Sequence, residues 1–199
     1  SDFTYQWKVF DSNTPVFTST LTNATDPVIT ANETVPALDN GVYTAVLLVT
    51  DVDTGLNYSD TVTLFVSNVD PTAVISGPTS VAEGSSIGLD GLSSTDPIDA
   101  IADYEWDFDY DGLTFDSDAT GATTTFDAAL LDGPTTRTVA LRVRDDDGAQ
   151  HVVTRVITIA NVAPTILLSG NSTAVEGAEY TLSLGAVTDP GIDSVTDYI

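Results

Sequence analysis

Asp107, Asp109 and Asp111, followed by Gly112, fall in the order D-x-D-x-D-G within YEWDFDYDG, Tyr104 to Gly112. That spacing is the opening of a calcium loop, in which alternate oxygens curl round one ion and the glycine allows the sharp turn. Asp118 stands at the twelfth position counted from Asp107, where such a loop wants its last carboxylate. The same residues also read as a β-strand. Tyr104, Trp106, Phe108 and Tyr110 then share one face, and Asp103, Glu105, Asp107, Asp109 and Asp111 share the other. Extended backbone would hold Asp107 and Asp111 roughly 13 Å apart, too far for one ion. No helical pattern flanks the loop, and the corresponding stretch Trp7-Lys8-Val9-Phe10 carries no carboxylate. The reading is a core strand with an acidic outer face. A looser calcium site on Asp111, Asp116 and Asp118, in the loop that follows, is the lesser expectation.

Charge narrows the partners. Thirty Asp and Glu face five Lys and Arg, for a net charge of -25. Such a surface repels nucleic acid and anionic membrane and attracts cations. The longest apolar runs are too short to span a bilayer. The opening SDFTYQWKVF reads as strand, with none of the basic start and apolar centre of a signal peptide. With no Cys and a single His, His151, there is no disulfide, no thiol chemistry and no zinc cluster. A hydrolytic triad lacks a well-placed base, so no catalytic residue is assigned.

The chain repeats itself. NVDPT at Asn68 to Thr72 returns as NVAPT at Asn161 to Thr165, 93 residues later. VAEG at Val81 to Gly84 returns as AVEG at Ala174 to Gly177, and TDP at Thr95 to Pro97 returns at Thr188 to Pro190, in the same register. Repetition at a fixed period marks copies of one structural unit. Within a copy, TAVLLVT, TVTLFVSN, TVALRVR and VVTRVITIAN are Thr/Val/Ile/Leu-rich runs of strand length, separated by Asp-Gly, Gly-Pro and Asp-Pro turns. Strands are predicted near 72–76, 85–90, 102–110, 121–126, 135–143 and 149–160. The predicted class is all-β, as tandem immunoglobulin-like sandwiches. Residues 1–70 form a copy lacking its first strands, 71–163 a complete copy, and 164–199 the start of a third.

YEWDFDYDG, VRDDDG at Val143 to Gly148, and NVAPT followed by VEG resemble PKD domains, immunoglobulin-like sandwiches common in microbial surface and secreted proteins. The resemblance implies a non-catalytic, extracellular or cell-surface spacer, stalk, fibre or adhesin segment. It also leaves open a polysaccharide- or protein-binding module attached to a secreted enzyme, and a filament subunit in which the incomplete end copies exchange strands. The expected partners are neighbouring copies, sister chains, a polysaccharide or a surface protein.

In such a sandwich the B–C and F–G loops lie where the chain enters. Asp96 and Asp99, with Asp145, Asp146 and Asp147, are thereby expected near the connector residues Asn68 and Asp70. Calcium accepts such mixed carboxylate, amide and backbone oxygens, so a junction site is the main cofactor expectation. Ala163 stands where Asp70 would recur, which weakens any site at the next junction. Tyr43 is expected to tie a loop to its strand through its hydroxyl. Asn23, Asn32, Asn57 and Asn171 lie in N-x-S/T sequons.

Overall fold

The computed structural model describes residues 2–19, 22–24 and 34–192. Asn32, and residues 193–199 at the end of the third predicted copy, lie outside the described residues. The chain divides into two compact units, one from residues 1–70 with 96–100, the other from residues 71–95 with 101–199.

In the first unit the β-branched and aromatic runs form antiparallel strands, as their composition dictates. These are β1 (Phe3–Asp11), β2 (Thr14–Thr18), β3 (Thr22–Ala24), β4 (Gly41–Asp51) and β5 (Asn57–Val66). They form one sheet in the order β2-β1-β4-β5, with β3 also pairing β1. Trp7 stands opposite Leu47. Tyr43 is buried, and its hydroxyl donates to the Asp39 carbonyl at 2.9 Å, four residues upstream. That contact is the expected loop tie. Desolvation, then the nearby carboxylates Asp11 and Asp39, hold the Tyr43 phenol above its ordinary pKa. Both causes disfavour the phenolate.

The second unit carries β6 (Ser80–Ala82), β7 (Ser86–Asp90), β8 (Ile101–Asp107), β9 (Ala119–Thr120), β10 (Thr123–Asp127), β11 (Thr135–Asp145), β12 (Gln150–Ala160), β13 (Thr165–Gly170) and β14 (Leu182–Thr188). One sheet runs β6-β12-β11-β8-β9, with β6 parallel to β12. The β7–β10 pair forms a second sheet, and β13–β14 a hairpin of its own. Leu89 and Phe126 of the small sheet share one core with Trp106, Leu141, Val143, Ile157 and Ile159 of the large one. Two sheets with alternate residues directed into a common core are a β-sandwich. The architecture is all-β, and the described residues contain no helix.

Three local expectations change. Residues 72–76 form only the isolated bridges Thr72 to Thr95 and Ser76 to Asp90. The strand predicted over 102–110 stops at Asp107. The alternation of faces stops there too, since Trp106 and Asp107 are adjacent and both buried. Phe108 still reaches the core and meets Phe126 edge-on, with centroids 5.7 Å apart. Tyr110 leaves the predicted core face and lies against Phe115, over whose ring the Arg142 guanidinium sits at 4.2 Å.

Candidate functional site

The loop after β8 is organised by its own carboxylates. Asp107 is 1% exposed. Its Oδ1 accepts from the Asp109 N–H at 3.1 Å and its Oδ2 from the Asp116 N–H at 2.9 Å. A buried carboxylate needs such partners, because desolvation without them costs several kcal/mol, on the order of a lost charge-assisted bond or more. Asp118 closes the loop from the other side. Its Oδ2 accepts from the Phe108 N–H at 2.7 Å, and its own N–H donates to the Trp106 carbonyl at 2.8 Å.

Asp111 turns the tip. Its Oδ1 accepts from the Leu113 and Thr114 N–H groups at 2.8 and 2.9 Å, while Gly112 takes a φ of 86°. The Thr114 and then the Leu113 bond hold the Asp111 carboxyl below its ordinary pKa, against a smaller opposing effect of desolvation. A depressed folded value means that this turn contributes fully above the unfolded pKa and is lost as pH falls through the folded one. The Leu113 and Thr114 amide resonances should therefore titrate together, with a midpoint below the ordinary aspartate value of about 3.9. Asp111→Asn should abolish that titration. A midpoint at or above the ordinary value would remove the hydrogen-bonded turn as its cause.

Asp107, Asp109 and Asp118 each direct one carboxylate oxygen into a group whose members lie within 4.8 Å of one another. Of the trio expected in this loop, Asp118 belongs to the group. Asp116 contributes its backbone N–H to Asp107, and Asp111 is engaged in its turn. Three carboxylates would supply part of the six to eight oxygens that calcium takes, leaving the remainder to backbone carbonyls or water.

The seven residues expected at the junction divide between the units. Asn68, Asp70, Asp96 and Asp99 belong to the first, and Asp145, Asp146 and Asp147 to the second. Asp96 Oδ1 accepts from the Ile98 and Asp99 N–H groups at 2.9 and 2.8 Å, a local turn. Asn68 Oδ1 accepts from the Val69 N–H at 2.8 Å. Asp145 is buried at the end of β11, and its Oδ1 accepts from the Ala149 N–H at 2.8 Å. Asp146, Asp147 and Gly148 then make the turn into β12, with Gly148 at a φ of 93°, where only glycine sits without strain. His151, exposed on β12, accepts at Nδ1 from the Ala73 N–H at 2.9 Å.

A single sandwich with a buried strand tryptophan and carboxylate-closed loops lies between Asn68 and Ala160. Residues 68–160 match the family model of the PKD domain. The YEWDFDYDG and VRDDDG motifs fall inside this PKD match. Among solved structures, the chain is similar to the PKD1 domain of Vibrio anguillarum Epp, with 23% identity, 47% of this chain and 98% of that one covered, and a TM-score of 0.37. It is similar also to the PKD1 domain of the Vibrio cholerae metalloprotease PrtV, at 24% identity, 46% and 99% coverage, and a TM-score of 0.36. The fibronectin(III)-like modules of Clostridium thermocellum CbhA align at 14% identity over 78% of this chain and 77% of theirs, with a TM-score of 0.40. No curated protein matches.

Proposed function

We propose that this chain is a non-catalytic extracellular segment whose work is mechanical, a spacer or stalk of PKD-type copies at 1–70, 71–163 and 164–199. The observation that carries the reading is the connection out of the central sandwich. β12 ends at Ala160 and β13 begins at Thr165, so only Asn161-Val162-Ala163-Pro164 separates them. Four residues, one of them a proline with fixed φ, give little room for independent movement. The core side chains Trp106, Leu141 and Ile157 are 0% exposed, as a stiff sandwich requires. The acidic surface adds a preference for cations, and calcium is the finer part of the proposal, with Asp107, Asp109 and Asp118 as its ligands within the sandwich.

Two measurements on the intact chain test this. Incubation with a panel of cell-wall polysaccharides should leave the chain in solution; retention on one glycan would replace the spacer by a recognition module. Melting in calcium against chelator should show a higher midpoint in calcium, because an ion bound only by the folded state stabilises it by about 2.7 kcal/mol at a hundredfold excess over Kd. Asp118→Asn should erase the difference. Identical melting curves in calcium and in chelator would dismiss the ion and leave the spacer.

A further inference from the structure

Glu83 is a charged side chain sealed inside the sandwich, and neither the fold nor the acidic loop accounts for it. It is 1% exposed. Its Oε2 accepts from the Gly133 N–H at 2.6 Å and its Oε1 from the Val162 N–H at 2.5 Å. The partners lie 50 and 79 residues away in the chain. One belongs to the loop before β11, the other to the connector that leaves for β13. The backbone of Glu83 adds a third tie, its N–H donating to the Ala160 carbonyl at 3.0 Å.

The surroundings are shaped to bring these segments together. A Cβ added to Gly133 would stand 2.5 Å from the Asn161 nitrogen and 2.8 Å from its Cα, so only glycine lets this loop lie against the connector. On the far side, a Cβ added to Gly191, just beyond β14, would meet the Leu131 carbonyl at 2.7 Å and the Glu83 Cβ and Cγ at 3.4 Å. The segment after the hairpin therefore rests on the stem of the residue whose carboxylate grips the connector before it. Glu83 thus binds the segment entering the β13–β14 hairpin and lies beside the one leaving it.

We infer that Glu83 is a clamp that sets the direction in which the chain leaves the sandwich. A bidentate, buried carboxylate holds two N–H groups in one geometry, and each bond is charge-assisted. A neutral amide of the same size could accept only one of them and would turn its own N–H groups toward the other donor. The spacer reading gives the clamp its use: it would keep a short linker stiff as well as short.

The test is backbone amide relaxation and hydrogen exchange on the intact chain. In Glu83→Gln, exchange at Val162 or Gly133 should rise roughly tenfold to a hundredfold, the equivalent of one lost bond to a charged acceptor. The β13–β14 amides should gain motion independent of the sandwich while the β8, β11 and β12 amides keep theirs. Val162→Pro removes the donor and leaves the carboxylate, and should release the hairpin in the same way if Glu83→Gln does not fold. A hairpin that moves with the sandwich in both variants, or one already free in the wild type, would overturn the clamp. A residue that merely stabilised the core would lower the melting point without uncoupling the hairpin. Retention on a glycan with wild-type relaxation would overturn the spacer and leave the clamp standing.

Discussion

Trp106→Ala is expected to cost the second unit about 3–5 kcal/mol, the range for deleting a large aromatic from a core. The indole is 0% exposed. It stands opposite Leu141 on β11 and opposite Ala119 on β9. Its removal would open a cavity bounded by the large sheet on one side and by the Leu89 and Phe126 layer on the other. It would also leave the Gly121 carbonyl without the Nε1–H that now reaches it at 2.9 Å. Trp106→Phe keeps most of the apolar area and loses only the hydrogen bond and part of the volume, so it should lose less. Urea denaturation followed by circular dichroism reads the order wild type, Phe, Ala. A Trp106→Ala protein within 1 kcal/mol of wild type would mean that the core described here is not the one that folds, since roughly 3 kcal/mol is the floor of that range.

Asp107→Asn is expected to destabilise by roughly 1–3 kcal/mol, although it changes neither size nor shape. One carboxylate oxygen becomes an NH2 group, which cannot accept from Asp109 or from Asp116. One of those N–H groups is then left without its acceptor, and the loop of residues 108–118 loses one of its two ties to the Asp107 carboxylate. Measured in chelator, Asp109→Asn, on an exposed neighbour, should stay within about 0.5 kcal/mol of wild type, as surface substitutions usually do. The contrast between two aspartates two positions apart is the informative result. Equal stability of wild type and Asp107→Asn would make the carboxylate a dispensable acceptor.

The pair Trp106 and Asp107 also marks how far sequence reasoning carries. The tryptophan was legible, because alternating aromatics between turn residues have one satisfying environment, the inner face of a strand. The aspartate was not. Periodicity assigned it to the solvent face along with Asp109 and Asp111, on the assumption that the strand runs on to Tyr110. The strand stops instead because Asp116 and Asp118, nine and ten residues beyond their partners, supply and accept hydrogen bonds at Asp107 and Phe108. A two-residue period reports extended backbone and is silent about where a later loop will fold back.

Glu83 repeats the lesson at longer range. Its recurrence as Glu176 in a matching VAEG and AVEG was visible, yet repetition alone gave the residue no place inside the sandwich. Its burial depends on Gly133 and Val162, which nothing local connects to it. Local composition and repetition thus determined the β class, the strand runs, the central tryptophan and the 93-residue spacing, because those follow from side-chain shape and from the sequence compared with itself. Tertiary structure alone decided which of thirty acidic residues are inside, because a buried carboxylate is specified by the backbone N–H groups that reach it, and those come from elsewhere in the chain.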